Sequence, residues 1–160
     1  MNLAGEHVHL AELLAPERVR VPLKATDKLG VLRELTELAA KNGGAGDRAR
    51  DVYDAVLERE SVLSTGVGFG VAIPHAQTDA MERLTLAAGT ASEPVGFDAL
   101  DGQPVRLFFL LVGPVSAGSL RIKVLSRIAR LVRREAFRER LLSARDASEF
   151  CRLLAESEGR

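Results

Sequence analysis

The chain has 160 residues, 46% hydrophobic and 28% charged, with 22 basic and 22 acidic side chains and a single cysteine. That length favours one domain with a real core, and ordinary apolar content excludes a disordered chain. Zero net charge excludes a protein-wide field built to attract nucleic acid or an anionic membrane, and Cys151 alone excludes an internal disulfide framework or a multi-cysteine metal site.

The start, Met1-Asn2-Leu3-Ala4-Gly5-Glu6-His7, lacks the basic and apolar regions of a signal peptide. No stretch approaches the roughly 20 apolar residues that span a bilayer. The expectation is a soluble, cytoplasmic protein without membrane insertion, one domain over 1–160 with 1–9 flexible. Val19 and Val21 alternate with Arg18 and Arg20, which predicts a short strand. Leu32, Leu35, Leu38 and Ala39 recur at helical spacing, and Gly43 and Gly44 supply a stop. Val52, Ala55 and Val56 predict a second helix ending near Glu60. Residues 66–75 are too rich in glycine for a helix. Leu84–Ala88 and Val105–Val112 have strand length, the second reading as a central strand buried on both faces. An amphipathic helix is predicted over Leu120–Val132, then two more, the last opened by a capping pair at Asp146 and Glu149. Strands alternating with helices predict an α/β domain around a mixed sheet.

Of three histidines, His7 and His9 form an H-x-H pair with no further ligand nearby in sequence, and a solvated terminus is expected there. His75 follows the short apolar run Val71-Ala72-Ile73-Pro74, which delivers it to a strand end, where sheet proteins place their sites. Gly66, Gly68 and Gly70 permit close backbone approach and open N–H groups to an anion. The run is neither a dinucleotide fingerprint, because position 71 is Val, nor a Walker loop. From pattern alone, His75 is equally a structural or a reactive histidine.

The stretch Arg59-Glu60, Ser64-Thr65-Gly66-Val67-Gly68 and Gly70-Val71-Ala72-Ile73-Pro74-His75 resembles the signature of the type-2 enzyme IIA family of the bacterial phosphoenolpyruvate-dependent phosphotransferase system. The resemblance continues through Pro94–Val105 and Leu125–Leu131 and covers about Leu10 to Leu154. It implies the mannitol-specific enzyme IIA fold, with a mixed sheet of about five strands flanked by helices. It also implies a phosphoryl carrier in which His75 accepts a phosphoryl group from the small carrier HPr and, in transport systems, passes it to a IIB cysteine. No metal or nucleotide cofactor is implied. A neutral imidazole is nucleophilic at cytoplasmic pH, and transfer needs positioning and charge stabilisation above all. Arg59 matches the family's motif arginine, whose guanidinium can grip two phosphoryl oxygens; apart from the motif, Arg59-Glu60 reads as a solvated pair at a helix end. Thr65 is a candidate hydroxyl donor or simply a turn residue, and Gly66 and Gly68 are candidate site backbone.

Many relatives carry a second histidine near the start of the late helix, where this chain has Arg121. Lys123, Arg127, Arg130 and Arg134 form a basic stripe on that helix, which is either a solvated face or a surface for an acidic partner. Residues 116–160 hold 11 basic and 6 acidic side chains, against 11 and 16 before them. Arg121 falls about 160° from the stripe, on the inward face with Leu125, Ile128 and Val132. There it either snorkels to water or meets an anion. Cys151, beside the apolar positions of the last helix, is expected to be buried and without chemistry. A free-standing IIA domain fits the nitrogen-regulatory branch, where phosphorylation switches contacts with regulatory target proteins. The alternatives are a fructose- or mannitol-specific component working with a separate IIB protein, and a binding module that is never phosphorylated.

Overall fold

A computed structural model describes residues 8–42 and 44–159 of the chain. Helix α1 (Leu10–Leu13) precedes strand β1 (Val19–Arg20), then helices α2 (Lys28–Asn42) and α3 (Ala49–Val62). Strands β2 (Gly66–Gly68), β3 (Val71–Ala72), β4 (His75–Gln77), β5 (Thr85–Val95) and β6 (Val105–Gly113) follow, and helices α4 (Gly118–Leu131), α5 (Glu135–Leu142) and α6 (Ala147–Glu158) close the fold.

The sheet is mixed, in the order β1-β5-β6-β3-β2, with β4 also pairing β6. Six strands stand where about five are expected, and proline explains the extra one. β3 and β4 both run parallel to β6, with Val71 opposite Leu107 and His75 opposite Leu111. Between them, Pro74 has no N–H to give the ladder, and Ile73 donates its own to the Thr65 carbonyl at 2.9 Å. One strand path is thereby split into two short pieces.

β6 is the central strand, buried on both faces as its composition predicts; only Arg106 of its nine residues is exposed. Successive side chains alternate faces. Phe108, Leu110 and Val112 join α2 and α3 in one core, while Leu107, Phe109 and Leu111 join α4, α5 and α6 in the other. α2 buries Val31, Leu32, Leu35, Leu38 and Ala39, the helical period seen in the sequence. Its N-terminus is capped by Asp27, whose Oδ1 accepts the Gly30 N–H at 2.8 Å. α6 is capped as expected, Asp146 Oδ1 accepting the Glu149 N–H at 2.8 Å. The Glu149 carboxylate, however, reaches past Asp146 to the Arg145 N–H at 2.7 Å, drawn there by the Arg145 and Arg152 guanidiniums.

α4 ends at Leu131, so Arg134 lies beyond it, at the cap of α5. The expected stripe is partly absorbed by α6: Arg127 pairs with Glu158 at 3.2 Å and Arg134 donates to the Ser157 carbonyl. The sequence signalled neither α1 nor its anchor, Glu158, whose carboxylate accepts the N–H groups of Leu10 and Ala11 at 2.7 and 2.9 Å.

Candidate functional site

His75 opens β4 near the C-terminal end of β6, where ligands gather in sheets with parallel strands. Its Nδ1 lies 2.8 Å from the Ile73 carbonyl. A carbonyl oxygen only accepts, so Nδ1 carries the proton and the Nε2 lone pair is left free. Burial holds the imidazole below its usual 6.5, and the Arg59 and Arg121 guanidiniums push the same way against the Ile73 hydrogen bond and Glu60. The ring is therefore neutral, and a nucleophile, at neutral pH.

Two hollows meet at His75 and Arg59. One, of about 530 Å³, is walled by α3, β4 and the first turn of α4 and includes Glu58, Gln77 and Arg121. The other, of about 410 Å³, is mainly apolar, with Leu63, Val67, Leu100 and Leu125 in its wall. Leu63, Val67 and Leu100 are also exposed.

Arg59 and Glu60 are adjacent at the end of α3 and turn opposite ways. Arg59 Nη1 caps the helix by donating to the Leu63 carbonyl at 2.8 Å, and no carboxylate pairs with it among the described residues. Glu60 is buried, 7% exposed, and bound to Lys28 Nζ at 3.0 Å. It also accepts the Thr65 N–H at 3.0 Å and the Thr65 hydroxyl at 2.6 Å.

That last bond corrects the expectation for Thr65. Its single hydroxyl hydrogen is committed to Glu60, and the side chain is buried, so it is no free donor for a phosphoryl oxygen. Thr65 instead holds Ile73, whose carbonyl holds His75. Gly66 lines the apolar hollow together with His75 and Arg59, but its N–H goes to Ser64 Oγ at 3.0 Å, and a Cβ would stand 2.6 Å from that of Ala99. Glycine is needed there for close packing. Gly68, with φ +93°, opens the turn between β2 and β3 opposite Val71. Four residues of extended chain, about 13 Å, separate that level from His75, and Gly68 lines neither hollow.

Arg121 is where the helical period puts it, half-buried in the first turn of α4, in the wall it shares with His75. Cys151 is half-buried and not fully so, and burial raises its thiol. His9 is exposed, and His7 lies outside the described residues. Among the described residues, no three His, Cys, Asp or Glu side chains cluster to hold a metal ion, and no helix is long and apolar enough to cross a membrane. The sequence missed Glu60 and Lys28 as partners; their separation in the chain leaves no local signal.

Residues 12–157 match the family described as "Phosphoenolpyruvate-dependent sugar phosphotransferase system, EIIA 2", and the chain belongs to that family. Within it, the chain is 39% identical over 146 residues to a nitrogen regulatory protein of Bradyrhizobium diazoefficiens, covering 91% of this chain and 94% of that one. It is 40% identical over 129 residues to a fructose-specific EIIA component of Haloferax volcanii, covering 81% and 83%. The crystal structure of the nitrogen regulatory protein IIA-Ntr from Neisseria meningitidis superimposes with a TM-score of 0.82 at 32% identity, covering 91% of this chain and 98% of that one.

Proposed function

We propose that this protein is a phosphoryl carrier that accepts a phosphoryl group on Nε2 of His75 from an HPr-like phosphocarrier. The observation that carries the reading is the hydrogen bond from Nδ1 to the Ile73 carbonyl, which fixes the tautomer and frees Nε2. The Nε2 lone pair attacks phosphorus, the donor's P–N bond breaks, and its electron pair returns to the donor imidazole. His75 keeps its Nδ1 hydrogen on Ile73 throughout. Arg59 holds developing charge on the phosphoryl oxygens with the N–H groups that Leu63 does not use. The exposed apolar residues Leu63, Val67 and Leu100 give a partner something to bury beside the reacting atoms.

The nitrogen-regulatory role is supported by similarity over nine-tenths of the chain to proteins of that description. A phosphoryl group adds about two negative charges beside an apolar wall and so changes which partner surface fits. A second reading, a fructose-specific component that discharges to a IIB cysteine, is supported by the Haloferax volcanii relative. The single half-buried cysteine fits a reducing, cytoplasmic setting for either role.

Intact mass after incubation with phosphoenolpyruvate, enzyme I and HPr tests the carrier chemistry. The expected result is one acid-labile phosphoryl adduct on wild type and none on His75→Ala. No adduct with either nitrogen-type or sugar-type HPr would leave a binding module. Fast discharge onto a fructose-type IIB cysteine domain would move the protein to the sugar-specific reading.

A further inference from the structure

α4 places one arginine where its surroundings offer it no partner. Arg121 makes no hydrogen bond or ion pair among the described residues, and its Nε is buried and unsatisfied. A snorkelling arginine keeps its head wet; here the first nitrogen of the guanidinium is shut away from water. An unmet buried donor is costly to keep, so its retention points to an acceptor that arrives later. Arg140 offers a contrast: its Nε is also unmet, but its Nη2 is anchored to Glu156 at 2.8 Å. Arg121 lacks any such anchor and walls the cleft that contains His75 and Arg59.

We propose that Arg121 is the second half of an anion cradle, its guanidinium turning to a phosphoryl oxygen once His75 is phosphorylated while Arg59 holds another from α3. The inference rests on the reading of His75 as the phosphorylated residue. Two guanidiniums on separate helices, α3 and α4, bracket the group, as transfer through a loose, anionic transition state requires. The other charged groups facing His75 are Glu58, in the wall of the same cleft, and Glu60, which Lys28 neutralises. Among the described residues no acidic side chain pairs with Arg121 itself, so its positive charge is available to the incoming anion.

The test uses the full chain and phosphoramidate, a small phosphoryl donor that needs no protein partner. Its P–N bond breaks, ammonia leaves with its hydrogens, and Nε2 forms the new P–N bond. A 31P NMR titration then follows the second ionisation of the phosphoryl group. In wild type that ionisation lies lower than in Arg121→Gln, because a nearby cation favours the dianion. Arg121→Lys falls between the two. The phosphoryl equilibrium with HPr shifts about ten-fold toward phospho-HPr in Arg121→Gln, the size of one charge-assisted hydrogen bond. Identical titrations and equilibria in wild type and Arg121→Gln would overturn the cradle while leaving His75 as the carrier. Absence of any adduct at His75 would overturn both. Should Arg121→Gln fail to fold, the same comparison on Arg121→Lys decides, since lysine keeps the charge but has no Nε donor.

Discussion

Arg121 and Arg127 stand six residues apart on α4, in opposite surroundings. Arg127 donates to Glu158 at 3.2 Å, and that carboxylate, 2% exposed, also ties down the N–H groups of Leu10 and Ala11. Every charge there has a partner inside the protein, and three elements are joined by it. Arg121, at the other end of the helix, has no carboxylate among the described residues and an unmet Nε in the His75 cleft. A satisfied buried charge fixes the fold, and an unsatisfied one leaves interaction energy for a ligand. Adjacent Arg59 and Glu60 repeat the contrast: Glu60 is saturated by Lys28 and Thr65, and Arg59 faces the cleft without an acidic partner among the described residues.

The contrast predicts a separation of effects. Glu158→Ala strands Arg127 and two backbone N–H groups and lowers stability by about 3 kcal/mol, read by urea unfolding, while phosphoryl acceptance in the surviving folded protein is unchanged. Glu60→Ala costs a similar amount, about 3 kcal/mol, but also slows acceptance in quench-flow, because Thr65 and hence Ile73 lose their anchor. A Glu60→Ala variant with wild-type transfer rates would break the link from Glu60 to His75. Arg121→Gln inverts the Glu158 result: the roughly ten-fold change in phosphoryl equilibrium comes with no loss of stability, since Arg121 holds nothing in place.

A smaller effect concerns pH. Burial, with Arg59 and Arg121, keeps folded His75 below the ordinary 6.5. Between those two values the unfolded chain binds more protons, so this histidine's contribution to stability is full above 6.5 and fades as pH falls through the folded value. Acceptance follows the neutral ring and should persist below pH 6.5. In Arg121→Gln one lowering influence is gone, and the midpoint seen by histidine NMR moves up toward 6.5.

What the sequence disclosed followed from how local each signal is. β6 was legible because the unbroken apolar run Leu107–Val112 has few other uses, and α4 because its period placed Arg121 and Ile128 inward. His75 and Arg59 were legible through a motif of contiguous residues. Thr65 and Gly66 sat in the same motif, yet their tasks were not visible. Thr65 answers to Glu60 and Ile73, and Gly66 makes room for Ala99, 33 residues away. Glu158 and Leu10 are 148 residues apart, and no period or spacing can mark such a pair. The split of β3 from β4 was implicit in Pro74, whose missing N–H acts only once β6 is its neighbour.

The measurement that bears most directly on the account is a long-range 1H–15N spectrum of the histidines before and after phosphorylation, with 31P coupling. Unphosphorylated His75 is expected as the Nδ1–H tautomer, with phosphorus then coupled to Nε2. Phosphorus on Nδ1 of His75, or on any other residue, would contradict it.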